Sequence, residues 1–361
     1  MRYIKQSFWN AFKCIAGACP KTCCSGWQIM IDDASMKKYI SCSGSFAEEL
    51  RHSVNTVESC FYQKRNGDCV FLQTDGLCRM ILQAGEEMLC DTCRLYPRHV
   101  EEYPDLREWC LSISCPEAAR ILAEQTELTD YLVEEDDEPD PLDEEFDDFD
   151  FLFFDRLEES RAVMDSIIRN TGYSLSERIY LLLQLAEKLQ LAVDDGDYAS
   201  ADQHIQDFQA EEYQTAILAE NGFSISAFLK ETLPVLYKLE RLDPEWHHLL
   251  ALTEEYPAED TMHIGILRNT DEKQHERILA NILLSYLYTY YLGSVYNGML
   301  YAYTKLCIFA VLLIDALALC SSQRQKQPIT LEEYTELIYR CDREIEHSDD
   351  NISILLEYFD L

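Results

Sequence analysis

Twelve of the fifteen cysteines lie in the first third of the chain, and most of them are closely spaced. Eight fall into short clusters: Cys14, Cys19, Cys23, Cys24, Cys69, Cys78, Cys90 and Cys93. Evenly scattered thiols would indicate small buried hydrophobic residues. Clustered thiols are typical of soft-metal sites, because several thiolates must reach the same metal. The sequence therefore predicts a metal-binding N-terminal module, with these eight cysteines as the candidate ligands.

The spacing of these cysteines leaves the identity of the metal open. Cys90 and Cys93 are separated by two residues, so both can bind one ion from a single turn. The adjacent Cys23 and Cys24 point in different directions, which suits two ligands in different arms of a site, or one ligand and one packing residue. Eight thiols could hold one four-iron cluster with thiols to spare, or two tetrahedral zinc ions.

The charge of the chain is concentrated in its last two thirds. Residues 1–125 carry 14 Lys and Arg against 16 Asp and Glu, whereas residues 126–361 carry 16 against 50. The total net charge of -36 disfavours binding to nucleic acid or to anionic membranes. It favours basic partners, such as lysine-bearing substrates, although solubility or adaptation to salt would give the same composition.

The sequence predicts a cytoplasmic protein that does not insert into a membrane. The first residues, MRYIKQSFWNAFKCIAG, lack the apolar stretch of a secretory signal, so we expect reduced thiols. The most apolar segment, Leu306–Cys320, is shorter than the span of about 20 residues that a bilayer needs, and it contains Asp315. We therefore expect it to be a buried core helix.

The sequence predicts three segments, and the first of them contains all the candidate ligands. Residues 1–125 form the Cys-rich module, residues 126–150 an acidic linker or mobile loop, and residues 151–361 an acidic helical domain. Residues 134–150 include 12 acidic side chains and two prolines, which disfavour a packed structure. Apolar residues three and four apart predict helices over 175–193, 202–219, 225–239, 245–255, 271–292, 295–321 and 331–346. The predicted fold class is mainly α: a small Cys-rich metal-binding module followed by an all-α domain.

The order of the cysteines and their neighbours resembles the start of the flagellin lysine N-methylases, the FliB family. The likeness spans residues 8–122, and these motifs carry it: Phe12-Lys13-Cys14, Cys23-Cys24-x-Gly26-Trp27, Leu89-Cys90-x-Thr92-Cys93-x2-Tyr96-Pro97-Arg98 and Cys115-Pro116-Glu117. The resemblance implies methyl transfer from S-adenosylmethionine to lysine ε-amines of flagellin. It also implies a Cys-ligated centre, with an iron–sulfur cluster of the 4Fe-4S type preferred over zinc. Cys42, Cys60 and Cys110 have no counterpart in the pattern, and Cys115 can serve packing.

The catalytic residues and the cofactor pocket are not apparent in the sequence. No Gly-rich loop follows a predicted strand, and Gly26 stands where a radical-type cluster motif would have a third cysteine. We infer a direct displacement, in which a carboxylate or a tyrosine takes the proton of the lysine amine. The tyrosine-rich residues 281–303 offer aromatic faces for a sulfonium, or they pack in the core. Asp315 is either an acid–base residue or a core residue paired with Lys305 or Arg277.

Arg98 and Trp27 flank the cysteine clusters. Arg98 can neutralise a thiolate cluster, hold a carboxylate or form a surface ion pair. Trp27 can shield the metal or pack in the core.

Two other functions fit the same cysteines. An iron–sulfur redox or electron-transfer protein would use the cluster itself as its working part. A non-enzymatic adaptor would use zinc only to fold its N-terminal module.

Overall fold

The computed structural model describes residues 1–136, 146, 149–220, 222–255 and 266–361, and helices dominate it. The helices of the first part are α1 (Asp33–Ser41), α2 (Ala47–His52), α3 (Arg79–Ala84), α4 (Asp91–Leu95) and α5 (Pro116–Ala123). Those that follow are α6 (Phe151–Arg169), α7 (Leu175–Asp194), α8 (Tyr198–Gln209), α9 (Glu211–Ala219), α10 (Ile225–Thr232), α11 (Trp246–Leu250), α12 (Glu272–Tyr290), α13 (Leu300–Gln325), α14 (Leu331–Glu346) and α15 (Asp349–Phe359). The predicted mainly α fold class is confirmed.

A small sheet that the sequence did not predict joins the N-terminus to later segments. The strands are β1 (Arg2–Gln6), β2 (Val54–Asn55), β3 (Cys60–Phe61), β4 (Arg98–Glu102), β5 (Leu106–Leu111) and β6 (Tyr131–Glu135). Four of them form one sheet in the order β4-β5-β1-β6. Strand β1 is parallel to β5 and antiparallel to β6. Strand β6 lies within the predicted linker, of which residues 137–145 and 147–148 are outside the described residues.

Buried apolar side chains form two separate cores. The smaller core lies among the cysteine clusters and includes Tyr39, Phe61 and Phe71. We call residues 13–97, which surround it, the Cys lobe. The larger core joins residues of the sheet region, such as Leu106, to helical residues such as Leu182. The sheet therefore packs as part of the helical body, and the Cys lobe has a core of its own.

Helix α13 runs through the larger core. Every residue from Leu306 to Cys320 is buried, as expected for a core helix. Two segments, Glu272–Tyr296 and α13, are long and apolar enough to cross a membrane. In the most apolar 18-residue stretch of each, however, 72% and 83% is buried inside the protein. Oδ1 of Asp315 lies 3.2 Å from Nε2 of His275, and both side chains are buried. The partner of Asp315 is therefore His275, and not Lys305 or Arg277 as we expected.

Some of the helix predictions need correction, and one helix was missed. The helices predicted over 225–239 and 245–255 end at Thr232 and Leu250, each followed by a 3-10 helix. The predicted helix over 202–219 is two helices, α8 and α9, because the backbone of Ala210 is extended between them. The helix predicted from residue 295 begins at Leu300, after Gly298 with φ of +78°. Helix α15 was not predicted; the side chain of Ser348 caps its start by accepting a hydrogen bond from the backbone of Asn351.

A buried ion pair ties the sheet to the helical body. Glu108 on β5 accepts two hydrogen bonds from Arg161 on α6, at 2.7 and 2.5 Å. Their side chains are 1% and 4% exposed. The Arg161 guanidinium also lies 4.3 Å from the ring centroid of Tyr288. Because both charges are removed from water, each depends on the other.

Replacing Arg161 with Met should therefore destabilise the protein strongly. The change leaves the carboxylate of Glu108 buried without its cation, which costs about 3–5 kcal/mol. Arg120→Met is the matched control, because Arg120 forms exposed pairs with Glu117 and Glu124 whose loss costs about 1 kcal/mol or less. Urea unfolding followed by circular dichroism measures both changes. Equal midpoints for the two variants would contradict the structural role of the buried pair.

Candidate active site

The eight predicted metal ligands lie together in the Cys lobe. Five belong to its small core or pack against it: Cys24, Cys69, Cys78, Cys90 and Cys93. The other three lie in the segment before α1: Cys14, Cys19 and Cys23. All fifteen cysteines of the chain are free thiols. Tertiary structure thus brings clusters far apart in sequence into one lobe.

Four of these thiols form two hydrogen-bonded pairs. A hydrogen bond with Cys23 lowers the pKa of Cys24 to about 7, although burial opposes the shift. A hydrogen bond with Cys93 likewise lowers the pKa of Cys90. In both pairs the partner thiol is the donor, and its pKa is raised. In each pair the lowered pKa favours the thiolate of one cysteine, which is the form that binds soft metals.

The donor type suits a soft metal, but the side chains do not converge on one point. Among the described residues, which include all the cysteines, no three side chains of Cys, His, Asp or Glu are placed to hold a metal ion. Burial raises the pKa of Cys69 to about 12, which would have to be reversed on metal binding. The structure gathers the candidate ligands without assembling a site, so the metal centre stays a prediction.

Two residues near the cysteine motifs have contacts that the sequence did not indicate. The Arg98 guanidinium lies 5.8 Å from the ring centroid of Trp9 and 5.2 Å from that of Phe12, so it stacks on aromatic rings. The indole Nε1 of Trp27 donates a hydrogen bond to the carbonyl oxygen of Cys23 at 2.6 Å. Its ring faces the imidazole of His347, with centroids 4.4 Å apart. Trp27 therefore connects the Cys lobe to the end of α14.

The end of α14 carries a buried network of polar side chains. Asp342 and Glu346 are four residues apart, so they lie on the same face of the helix and hydrogen-bond to each other. Tyr286 on α12 donates a hydrogen bond to Oδ1 of Asp342. Ser112, which follows β5, donates a hydrogen bond to Oε2 of Glu346. One carboxylate pair thus joins α12, α14 and the segment after β5.

A small cavity lies beside this carboxylate pair. The polar side chains that line it are Ser112, Ser285, Tyr286, Thr289, Tyr290, Asp342 and Glu346. It has room for a group about the size of one water molecule. Thr289, Tyr290 and Glu346 are only half-buried, so the cavity is not sealed from the surface on their side.

The two carboxyl groups of the cavity have opposite pKa shifts. Burial, the charge of Glu346 and the hydrogen bond between the two groups raise the pKa of Asp342 well above its usual value. Burial opposes ionisation of Glu346 too, but the charges of His347 and His99 and the hydrogen bonds from Asp342 and Ser112 outweigh it and lower its pKa. These opposite shifts favour a proton on the buried Asp342 and the negative charge on the half-buried Glu346, because two adjacent carboxylates repel each other.

His347 links this pair to the Cys lobe. Its Nε2 lies 2.9 Å from the hydroxyl of Ser114, which lies 3.0 Å from the hydroxyl of Tyr96. Burial lowers the pKa of His347 to about 4, so its imidazole is neutral at pH 7. At pH 7 the hydrogen bonds from Asp342 and Ser112 therefore stabilise the charge of Glu346 more than His347 does.

Arg343 makes the second contact between α14 and the Cys lobe. It donates hydrogen bonds to the carbonyl oxygens of Lys21 and Thr22, at 3.4 and 3.0 Å. These carbonyls lie between Cys19 and Cys23. The same helix that positions the carboxylate pair therefore holds the loop of the first cysteine cluster.

Sequence reasoning missed the carboxylate pair although it placed α14 correctly. The buried face of α14 contains Tyr334, Ile338 and Ile345, and Asp342 interrupts that apolar series four residues after Ile338. An acidic residue on an apolar face was the available signal. Tyr286 and Tyr290 came from the tyrosine-rich segment that the sequence did single out.

The helical body matches a known family. A family model described as the FliB lysine N-methylase C-terminal domain matches residues 161–360. This segment includes α12 and α14, which form most of the cavity. No solved structure matches the chain significantly.

Three curated relatives are each 29% identical over a segment that covers 33% of this chain. The flagellar biosynthetic protein FliU of Salmonella muenchen matches over 132 residues, which are 75% of its length. Proteins named lysine-N-methylase from Salmonella typhimurium and Salmonella choleraesuis match over 131 residues. The chain spans about a third of the length of these two relatives, 32% in each case.

Replacing Cys90 and Cys93 together with Ser should release the predicted metal. Cys90 belongs to the small core and Cys93 packs against it, so loss of the metal should also unfold the Cys lobe, because metal binding and folding are coupled. Elemental analysis and near-ultraviolet circular dichroism of protein purified without oxygen measure both effects. Cys42→Ser is the control, since it removes a thiol of the same lobe outside the predicted ligand set. Full metal content in the double variant would contradict the ligand assignment.

The imidazole of His347 should titrate near pH 4. An unfolded histidine has a pKa of about 6.5, so the unfolded chain takes up this proton more readily than the folded protein. The contribution of neutral His347 to stability is therefore complete above pH 6.5 and is lost as the pH falls toward 4. Nuclear magnetic resonance titration of the labelled ring measures this pKa directly.

The matched variant for this titration is Trp27→Ala, which uncovers the ring and should raise the pKa of His347 toward 6.5. Phe46→Ala removes a Cys-lobe ring that packs on Phe71, and it should leave the value near 4. A wild-type pKa of His347 near 6.5 would mean that the junction is open to water.

Proposed function

The chain belongs to the FliB lysine N-methylase family, and we propose that it transfers methyl groups from S-adenosylmethionine to lysine ε-amines of flagellin. The observation that carries the proposal is the family match over residues 161–360, within which α12 and α14 line a cavity with the buried Asp342 and the half-buried Glu346. The two relatives named lysine-N-methylase support the reaction type.

Flagellin is the proposed substrate for two reasons. One relative is named a flagellar biosynthetic protein, which connects this family to flagella. The acidic body, with a net charge of -34 over residues 126–361, attracts basic segments and so favours lysine-bearing protein surfaces. We propose that the protein acts in the cytoplasm, on flagellin before its export. The two membrane-length helices are largely buried in the protein, as the core helices of a soluble body would be.

The reaction sets two chemical requirements on this chain. A lysine ammonium has no lone pair, so it must lose a proton before its nitrogen can attack. The amine must then be held in line with the methyl group. S-adenosylmethionine supplies that methyl group on a positively charged sulfur. In the helical body, Asp342 and Glu346 supply carboxyl groups, and Tyr286 and Tyr290 supply aromatic walls that favour cations.

The Cys lobe is proposed to hold an iron–sulfur cluster, with zinc as the alternative. The residues that would hold it are among Cys14, Cys19, Cys23, Cys24, Cys69, Cys78, Cys90 and Cys93. The support is the gathering of these thiols in one lobe and the lowered pKa of Cys24 and Cys90. Trp27 and Arg343 connect this lobe to the helix that carries the carboxylate pair.

Protein purified without oxygen should methylate flagellin when S-adenosylmethionine is present. Mass spectrometry of digested flagellin should find methyl-sized mass steps on lysine residues and on no other side chain. The control omits S-adenosylmethionine, and a second control uses flagellin whose lysines have been acetylated. If several flagellins, including that of the same cell, stay unmodified, the proposed function is wrong.

A further inference from the structure

The cavity beside α14 has the size and the lining of a site for one ammonium group. It accommodates about one water molecule, and a terminal ammonium has similar dimensions. Its lining combines the carboxyl group of Glu346 with the side chains of Tyr286 and Tyr290. Carboxylates and aromatic faces both favour a cation. The cavity is too small for S-adenosylmethionine, so its lining is assigned to the amine and not to the cofactor.

A hydroxyl in the cavity wall offers a second acceptor for an ammonium group. Ser285 is 4% exposed and lines the cavity. An ammonium has three N–H donors, so it can donate to Ser285 and to Glu346 at the same time.

The side chains around Glu346 donate hydrogen bonds to its carboxylate but do not form an ion pair with it. Ser112 and Asp342 each donate a hydrogen bond to Glu346, and neither side chain carries a positive charge that could neutralise it. His347 is neutral at pH 7, and His99 is paired with Glu101 at 2.5 Å. The charge of Glu346 is therefore supported by hydrogen bonds, without a cation bound directly to it in the described residues. A half-buried carboxylate in this state can bind an ammonium and accept its proton.

We propose that the cavity binds the terminal ammonium of a substrate lysine, and that Glu346 accepts its proton before methyl transfer. Asp342 acts as a positioning residue, because it donates its own proton to Glu346 and is held by Tyr286. The second half of this proposal rests on the proposed function. The ammonium-binding half does not depend on it.

The proposed step balances in atoms and charge. One N–H bond of the lysine ammonium breaks, and its proton binds to Glu346. The freed lone pair forms a bond to the methyl carbon of S-adenosylmethionine while the carbon–sulfur bond breaks, and that electron pair stays on sulfur. The products are a methylated lysine ammonium and the neutral thioether. Glu346 then returns its proton to solvent through the half-buried side of the cavity.

The first experiment measures ammonium binding without catalysis. The probe is n-butylammonium, which copies the end of a lysine side chain, and saturation-transfer nuclear magnetic resonance detects its binding to the full chain at physiological ionic strength. Wild-type protein should bind the probe, and Glu346→Gln should lose that binding. Glu336→Gln, an exposed change on the same helix, is the control and should bind as wild type does. Thermal unfolding of each variant confirms that it is folded.

The second experiment measures the rate of methyl transfer to flagellin as a function of pH. Glu346→Gln should lower the rate by about 100-fold at pH 7, the usual contribution of a general base. The loss should shrink as the pH rises toward 9, because solvent then supplies about tenfold more free amine per pH unit. Asp342→Asn should cost less than Glu346→Gln, because its amide can still donate to Glu346. A purely structural role would lower the rate equally at every pH.

The outcomes separate the two proposals. Probe binding that needs Glu346, with no methylation by wild-type protein, would overturn the proposed function and leave the ammonium site standing. Methylation by wild-type protein with an equally active Glu346→Gln variant would overturn the role of Glu346. Probe binding that is equal in wild-type protein and Glu346→Gln would overturn the ammonium site.

Discussion

The architecture depends on one constraint, which is that α13 is apolar on all its faces. A helix of this kind must be covered on every side, because each buried side chain would cost about 1.5–3 kcal/mol if left in water. Helices α7, α12, α14 and α15 pack around it. Two of these, α12 and α14, carry Tyr286 and Asp342, so the same packing that covers α13 brings the two side chains into contact.

The carboxylate pair sits where three parts of the protein meet. The segment after β5 contributes Ser112, and the buried pair of Glu108 and Arg161 fixes that strand against α6. The Cys lobe has its own core and contacts the end of α14 through Trp27, whose ring faces that of His347. The end of α14 therefore contacts both the Cys lobe, through His347, and the cavity, through Glu346.

Much of the helical body could be predicted, because its periodicity is local. Helix α14 occupies the predicted residues, and α7 differs from its prediction by one residue. The four-stranded sheet could not be predicted in the same way, since β1 pairs with β5 across about a hundred residues of chain. Strand β6 was not predicted, because the acidic residues around it give residues 126–150 the composition of a linker.

The sequence by itself determined the clustering of thiols in the Cys lobe, the helical class of the body and the family. Thiol type and spacing are properties of short segments, and so is a 3.6-residue apolar period. Tertiary structure decided that Asp342 and Glu346 share one proton beside Tyr286, and that Trp27 faces His347. The contact of Tyr286 with Asp342 joins residues 56 positions apart and that of Trp27 with His347 residues 320 apart, and the pKa of Asp342 depends on burial that no local pattern reveals.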